Sequence, residues 1–276
     1  MAKQNKAVIF GGSGFLGRHL FNQISDKYKE VLIYDNKPYP QHIDTSKLIV
    51  GDILDSDLVK SVLDGADVVF HLAGVSDIEH CIDDPMRAIQ ANILGTANIL
   101  EAARQTKVDR FVFASSLYVY SRVGGIYRVT KRACEELIEE FQNQFGVPYI
   151  ILRFGTIYGP FADERNSVYR YVSQALDSGE INYPGTGSEI REYIHVMDAV
   201  KQTARLAIDG DPNTKYLITG NSPIRTNDLF ELIGEVIGAN LKVNYDKDAR
   251  GSSSHYKISP YAYREDHALK VSNDTF

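Results

Sequence analysis

KAVIFGGSGFLG, residues 6–17, begins as a short apolar strand and passes through a glycine-spaced turn into a helix. Residues 7–10 are apolar and β-prone, and from Phe15 to Ile24 the apolar positions recur at helical spacing, so Gly11, Gly14 and Gly17 fall at the strand-to-helix turn. A diphosphate held at such a turn meets backbone amides and the positive end of a helix dipole, and β-carbons there would obstruct its approach. Glycines also serve tight strand-to-helix packing with no ligand, so the surroundings decide. A second strand, residues 31–34, ends in Asp35, about 24 residues past Gly11, where dinucleotide folds place the acid that accepts hydrogen bonds from the adenosine ribose. A carboxylate there repels a 2′-phosphate, which favours NAD over NADP. A polar end to a strand is the plainer reading of the same residue.

The chain of 276 residues suits one large α/β domain, or a nucleotide-binding domain with a smaller partner. Its 43% hydrophobic and 24% charged residues are a globular balance, and a formal net charge of -6 with no basic stripe argues against a nucleic-acid binder. The N-terminus has no signal-peptide core and no apolar run reaches bilayer length, so a soluble cytoplasmic protein is expected. Cys81 and Cys134 stand far apart, without metal or redox spacing, which predicts two passive reduced thiols and no metal site.

Strands and helices alternate through the first half. Residues 48–50 read as a third strand, and DVVFHLA, residues 67–73, as a fourth, apolar enough to be buried on both faces of a parallel sheet. A long helix is predicted over 85–104, a fifth strand over 111–114 ending at Ser115 and Ser116, a helix over 130–145 and a strand over 149–154. Repeated βα winding with right-handed crossovers gives a doubly wound parallel sheet. Beyond Gly159-Pro160 the rhythm changes. A helix is expected to reach Leu176, a strand to cover 193–196, and further helices 200–208 and 229–237. The expected division is a dinucleotide-binding domain over 1–160, with 190–210 returning to it, and a small substrate-binding lid over 161–276.

Tyr127 and Lys131 lie four apart near a helix start and so share one face. A phenol with a pKa of about 10 is a poor base at neutral pH, and a neighbouring ammonium favours its anion. The same spacing suits a plain surface helix pair. Position favours chemistry, because the preceding strand delivers Ser115 and Ser116 to the C-terminal sheet edge, where ligands bind in open α/β sheets. His71 lies inside an apolar strand and His195 in YIHV, and both read as structural histidines.

The glycine turn, Asp35, GDI (51–53), HLAG (71–74), NILGT (92–96), SSLYVY (115–120), YRVTK (127–131) and LRFGTIYGP (152–160) occur in family order. Together they resemble the extended short-chain dehydrogenase/reductases, and among these the nucleotide-sugar epimerases and dehydratases. REYIHVMD (191–198) is closely similar to a segment of the UDP-galactose 4-epimerases. The likeness spans roughly residues 6–240. It implies that Gly11, Gly14, Phe15 and Leu16 hold the pyrophosphate of NAD, and that Asp35 and Asn36 hold the adenosine ribose. Asp52 and Ile53 would bracket the adenine, Leu72, Ala73, Gly74 and Ser115 would line the dinucleotide, Asn92 would brace the site, and Phe154 would lie near the nicotinamide. Ser116, Tyr127 and Lys131 are the implied catalytic triad, the last two also touching the cofactor. Ser116, Asn166 and Arg191 are the implied substrate contacts, with Arg191 on the diphosphate of a UDP-hexose.

Some positions depart from that pattern. Only about ten residues separate Ser116 from Tyr127, where the family spends a longer loop, and Thr156 stands where epimerases commonly carry asparagine. Leu117 and Tyr118 occupy the place of a carboxylate motif in the 4,6-dehydratases, and dehydration needs such an acid, so that subclass is disfavoured. The resemblance implies a UDP-hexose 4-epimerase. A keto-sugar reductase or sugar dehydrogenase is its rival, and a non-catalytic NAD-binding protein a third reading. Family members dimerise through the helices around Ile93, Leu100, Leu137, Ile138 and Phe141, which predicts a homodimer, although core packing accounts for those residues equally well. Arg250, His255, Tyr256 and Arg264 in the tail are unplaced candidates for nucleotide contacts.

Overall fold

A computed structural model describes residues 4–38, 45–121, 124–246 and 269–270. Eight strands form one parallel sheet: β1 (Gln4–Phe10), β2 (Tyr28–Asp35), β3 (Leu48–Val50), β4 (Val68–His71), β5 (Arg110–Ser116), β6 (Tyr149–Phe154), β10 (Thr214–Ile218) and β13 (Leu269–Lys270). Their order is β13-β10-β6-β5-β4-β1-β2-β3. The chain winds outward from β1 on both sides, so a crevice opens at the carboxyl ends of β1 and β4, where the winding reverses.

Both faces of this sheet are covered, which explains the near-continuous apolar strands. Ala7 and Ile9 face one core layer with Leu20 and Ile24 of α1 (Phe15–Ile24). Val8 and Phe10 face the other, with Val59 and Leu63 of α2 (Ser56–Leu63), Ile99 and Leu100 of α5 (Gly95–Thr106), and Cys134 and Ile138 of α6 (Gly125–Phe145). All four residues Ala7 to Phe10 are fully buried. Leu100 and Ile138, candidates for a dimer face, belong to this inner layer.

The helix predicted over 85–104 is interrupted. It runs as α4 (Pro85–Ile89), a π turn over Gln90–Leu94 and then α5, and a separate short helix, α3 (Ile78–Asp83), precedes it. Hydrophobic periodicity does not register the extra residue of a π turn, which here carries a buried polar residue, Asn92. The helix expected from residue 130 starts instead at Gly125, so Tyr127 and Lys131 sit in its first two turns.

The second half builds a small lobe from β7 (Thr156–Tyr158), α7 (Ser167–Ser178), β8 (Glu180–Tyr183), β9 (Ile190–His195), β11 (Pro223–Arg225), α9 (Thr226–Ile237) and β12 (Lys242–Tyr245). Strands β11-β9-β7 and β12-β8 form two small sheets, and Tyr171, Tyr183, Leu229, Phe230 and Ile233 make the lobe's own core. Between these pieces, α8 (Val196–Asp209) lays Ala199, Val200 and Ala204 on the α1 side of the main sheet, and β10 pairs with β6. Residues 190–195 pair instead in the small β11-β9-β7 sheet. The candidates Arg250, His255, Tyr256 and Arg264 lie outside the described residues.

Candidate active site

A cleft of about 1000 Å³ runs along the carboxyl ends of the strands, lined by Gly11 and Asp35 at one end and by Tyr127, Asn166 and Arg191 at the other. At the first end Gly11 has φ +81°, and a β-carbon there would come within 2.6 Å of the Ala73 backbone nitrogen. Only glycine fits both the conformation and the gap. Gly14 caps α1 with no side-chain hydrogen bond to the first-turn amides, and Gly14, Phe15 and Leu16 line the cleft there. An unfilled helix N-terminus on a glycine cradle suits a diphosphate.

Asp35 is held rigidly: its Oδ2 accepts from the Ser13 amide and its Oδ1 from the Lys37 amide, both at 3.0 Å. Its remaining lone pairs face the cleft beside Asn36. Asp52 accepts from the Leu54 amide at 3.0 Å, and its carbonyl takes the Tyr34 hydroxyl at 2.7 Å. Ile53 next to it fills the space a side chain on Gly95 would need. This pocket fits the adenosine half of a dinucleotide.

Leu72, Ala73 and Gly74 leave β4 along the cleft. Asn92, 2% exposed, grips this exit: its Oδ1 accepts from the Val75 amide at 2.7 Å, and its Nδ2 donates to the Val75 carbonyl at 3.0 Å and the Thr130 hydroxyl at 2.9 Å. Thr130 in turn donates to the Tyr127 carbonyl at 2.9 Å. The π turn thus ties the β4 exit to the helix start that carries Tyr127.

Ser116, Tyr127 and Lys131 converge at the deep end of the cleft, each less than a tenth exposed. Ser116 Oγ accepts from the Tyr118 amide at 3.2 Å. Lys131 Nζ donates to the Ala114 carbonyl at 2.8 Å and stands 6.0 Å from the Tyr127 ring centre. Burial pushes the Tyr127 phenol up to about 12, opposed by a hydrogen bond from Ser116, and burial pushes Lys131 down. The expectation that Lys131 brings the phenol toward neutrality is therefore not met by the protein groups of this site. Desolvation of the anion outweighs an ammonium that is itself desolvated and bonded to a carbonyl.

Phe154 ends β6 in the cleft wall. Arg191 lies among Tyr118, Tyr193, Tyr183 and Tyr171; burial works against its charge, yet the surrounding phenols leave its pKa above the usual guanidinium value. Asn166 is already engaged: its Oδ1 caps α7 through the Val168 and Tyr169 amides, and its Nδ2 donates to the Ile157 carbonyl at 2.6 Å. Its side chain thus fixes the α7 N-terminus at the cleft edge. Ser115 also lines the cleft, and its hydroxyl donates to Glu135 of α6. His71 is 1% exposed, its Nε2 2.8 Å from the Thr96 hydroxyl, and burial, then Lys131, pushes its pKa down to about 3. It is a neutral core residue. His195 caps α8.

Sequence reasoning did not single out Glu135 or Arg153, a buried ion pair behind the site. Two signals were present: Glu135 continues the four-residue stripe of Tyr127 and Lys131, and Arg153 interrupts an apolar strand. Cys81 and Cys134 are buried free thiols. Among the described residues no group of three or more His, Cys, Asp or Glu could hold a metal, and no helix is long and apolar enough to cross a membrane.

The model of the NAD dependent epimerase/dehydratase family matches residues 7–218. A putative UDP-glucose 4-epimerase of Methanocaldococcus jannaschii is 27% identical over 265 residues, covering 88% of this chain and 86% of that one. A UDP-N-acetylglucosamine 4-epimerase from Methanobrevibacter ruminantium M1, solved in complex with UDP-N-acetylmuramic acid, superposes with a TM-score of 0.81 at 25% identity, covering 91% of this chain and 88% of that one. MoeE5, solved in complex with UDP-glucuronic acid and NAD, gives a TM-score of 0.78 at 27% identity, over 88% and 85% of the two chains.

Proposed function

From the chain's membership of the NAD dependent epimerase/dehydratase family, we propose that it is an NAD-dependent nucleotide-sugar epimerase acting at C4 of a UDP-hexose. The observation that carries this reading is the convergence of Ser116, Tyr127 and Lys131 at the deep end of a cleft whose other end is a glycine cradle. Similarity to proteins named as UDP-sugar 4-epimerases supports the substrate class.

Gly11, Gly14, Phe15, Leu16, Asp35, Asn36, Asp52, Ile53, Leu72, Ala73, Gly74 and Phe154 would hold the cofactor, which supplies, when bound, a reversible hydride acceptor. Tyr127, once ionised as the phenolate beside Lys131, takes the proton of the C4 hydroxyl as that carbon is oxidised, and Ser116 donates a hydrogen bond to the same oxygen as it becomes a ketone. A phenol whose protein surroundings raise its pKa is a ready proton donor for the return step, when the turned keto-sugar is reduced on its other face. Lys131, over the Tyr127 ring, limits the charge built up when the phenolate forms. Arg191 takes the substrate diphosphate with its guanidinium fork, and Asn166, capping α7, lines the cleft beside it.

Incubation with UDP-glucose and NAD, followed by NMR of the sugar, tests the assignment; a spectrum with no epimer refutes it. Tyr127→Phe lowers turnover by about 100-fold or more, within the range of a lost general base, with NAD affinity nearly intact. The short segment between Ser116 and Tyr127 favours, as a second reading, a net redox enzyme on the same scaffold. A stoichiometric change in NADH absorbance selects it, and turnover of any sugar nucleotide removes a purely binding role.

Residues 1–160 with the returning α8 and β10 form the cofactor half, and the lobe after residue 161 closes over the substrate. Exposed Met86, Leu94, Val129 and Phe145 on the helices flanking the site support a homodimer, since Leu100 and Ile138 already serve the core. Light scattering at micromolar concentration checks it, and a monomer mass refutes it. Two reduced thiols suit a cytoplasmic location.

A further inference from the structure

Strands β5 and β6 end side by side, with Ser115 opposite Arg153 and Ser116 opposite Phe154. Side chains alternate along a strand, so Ser115 and Arg153 share the face under α6 while Ser116 turns to the other side. One α6 residue meets both. Glu135 Oε1 accepts from Ser115 Oγ at 2.5 Å, and the same carboxylate is gripped by Arg153 through Nε at 3.0 and 3.2 Å and through Nη2 at 2.6 Å. Arg153 Nη1 donates to the Tyr120 hydroxyl, and the guanidinium lies 4.5 Å over the Tyr120 ring. Glu135 is 4% exposed and Arg153 3%.

A buried ion pair adds little stability relative to apolar side chains of the same volume, because desolvating two charges offsets their attraction. What a forked guanidinium on a carboxylate does supply is a fixed orientation. Here the fixed segment is 115–120. Ser115 attaches one end directly to Glu135 of α6, and Tyr120 attaches the other through Arg153 of β6, which grips the same carboxylate; between them lie Ser116 and Tyr118, both lining the cleft. Tyr127, Lys131 and Glu135 are spaced four apart and share one stripe of α6. The helix that carries Tyr127 is thereby locked to the strand end that carries Ser116.

We infer that Glu135 and Arg153 are positioning residues that hold Ser116 against Tyr127, with Ser115 and Tyr120 as their two attachment points. The inference rests on the roles given to Ser116 and Tyr127 above. Misplacing reacting groups by about 1 Å lowers a rate by roughly 100-fold, so losing one of two attachments is expected to lower kcat by about 10-fold. The diphosphate contact given to Arg191 is untouched, so KM and the NAD dissociation constant stay within about twofold.

The test uses the full chain with NAD and the UDP-sugar that it turns over. Ser115→Ala removes one attachment, Tyr120→Phe removes the other hydrogen bond while keeping the ring, and Arg153→Lys keeps the charge without the fork. A fall in kcat at nearly constant KM in the first two variants supports the inference. Unchanged kcat, or a rise in KM alone, overturns it. Crystal structures of the parent and of Ser115→Ala read the claim without turnover: the Ser116 and Tyr127 hydroxyls move beyond hydrogen-bond distance in the variant, and an unmoved pair overturns the inference. If the parent turns over no UDP-sugar, the proposed function falls and the two structures still decide the positioning. Should Arg153→Lys fail to fold, Ser115→Ala and Tyr120→Phe decide.

Discussion

Asn92→Ala removes the side chain that ties the β4 exit to the start of α6. Three hydrogen bonds go with it, two to the Val75 backbone and one to Thr130. Thr130 keeps its bond to the Tyr127 carbonyl, so its hydroxyl is not orphaned. The Val75 amide loses its 2.7 Å partner in a part-buried place, which costs about 1–3 kcal/mol. A small polar cavity in the 2% exposed space of Asn92 adds to that, for a total of about 2–4 kcal/mol. At roughly 2–3 °C per kcal/mol for a chain of this size, Tm falls by about 4–12 °C. Calorimetry measures it. Combining the variant with Thr130→Val isolates the bond between them: the double variant is less destabilised than the sum of the singles by about 0.5–1.5 kcal/mol. A Tm within about 1 °C of the parent, or strict additivity of the two changes, refutes the account of Asn92 as the tie between these elements.

Asp35 accepts from two amides of the turn and presents its remaining charge to the cleft, so Asp35→Ser narrows the preference for NAD over NADP by about 10-fold or more. Titration with both cofactors checks this, and a parent that holds NADP as tightly as NAD refutes it. His71, neutral in the folded protein down to about pH 3, binds a proton in the unfolded chain below about 6.5, so the unfolded state carries more protons and stability falls as pH drops through that window. Between pH 6.5 and 5 the loss from this group is about 2 kcal/mol. His71→Gln flattens that part of the urea-unfolding profile, and an unchanged slope rules the linkage out.

The parallel sheet and its glycine cradle were legible in residues 6–17 because local rules govern them: a buried strand must be apolar, and a positive φ against a neighbouring backbone admits only glycine. The stripe of Tyr127 and Lys131 was legible for the same reason, since helical spacing puts residues four apart on one face. Asn92 was expected to brace the site, but the π turn that aims it was not visible, because one inserted residue leaves the apolar period almost unchanged. Asn166 illustrates the opposite case. Its sequence position suggested a ligand contact, and the structure adds an N-cap at the cleft edge, a role that depends on where α7 begins.

From its own order of residues the chain determined the winding, the cradle, the acid at the end of β2 and the helix stripe, all of which depend on neighbours within a turn or a strand. Tertiary structure alone decided the direction in which burial shifts Tyr127 and Lys131 and the partnership of Ser115, Glu135, Arg153 and Tyr120. The desolvation of Tyr127 arises from its burial in a cluster with Cys81, Ala88 and Tyr118, and the ion pair forms because β5 and β6 end in register beneath α6. Both effects act between residues far apart in sequence, through exclusion of water that no local pattern encodes.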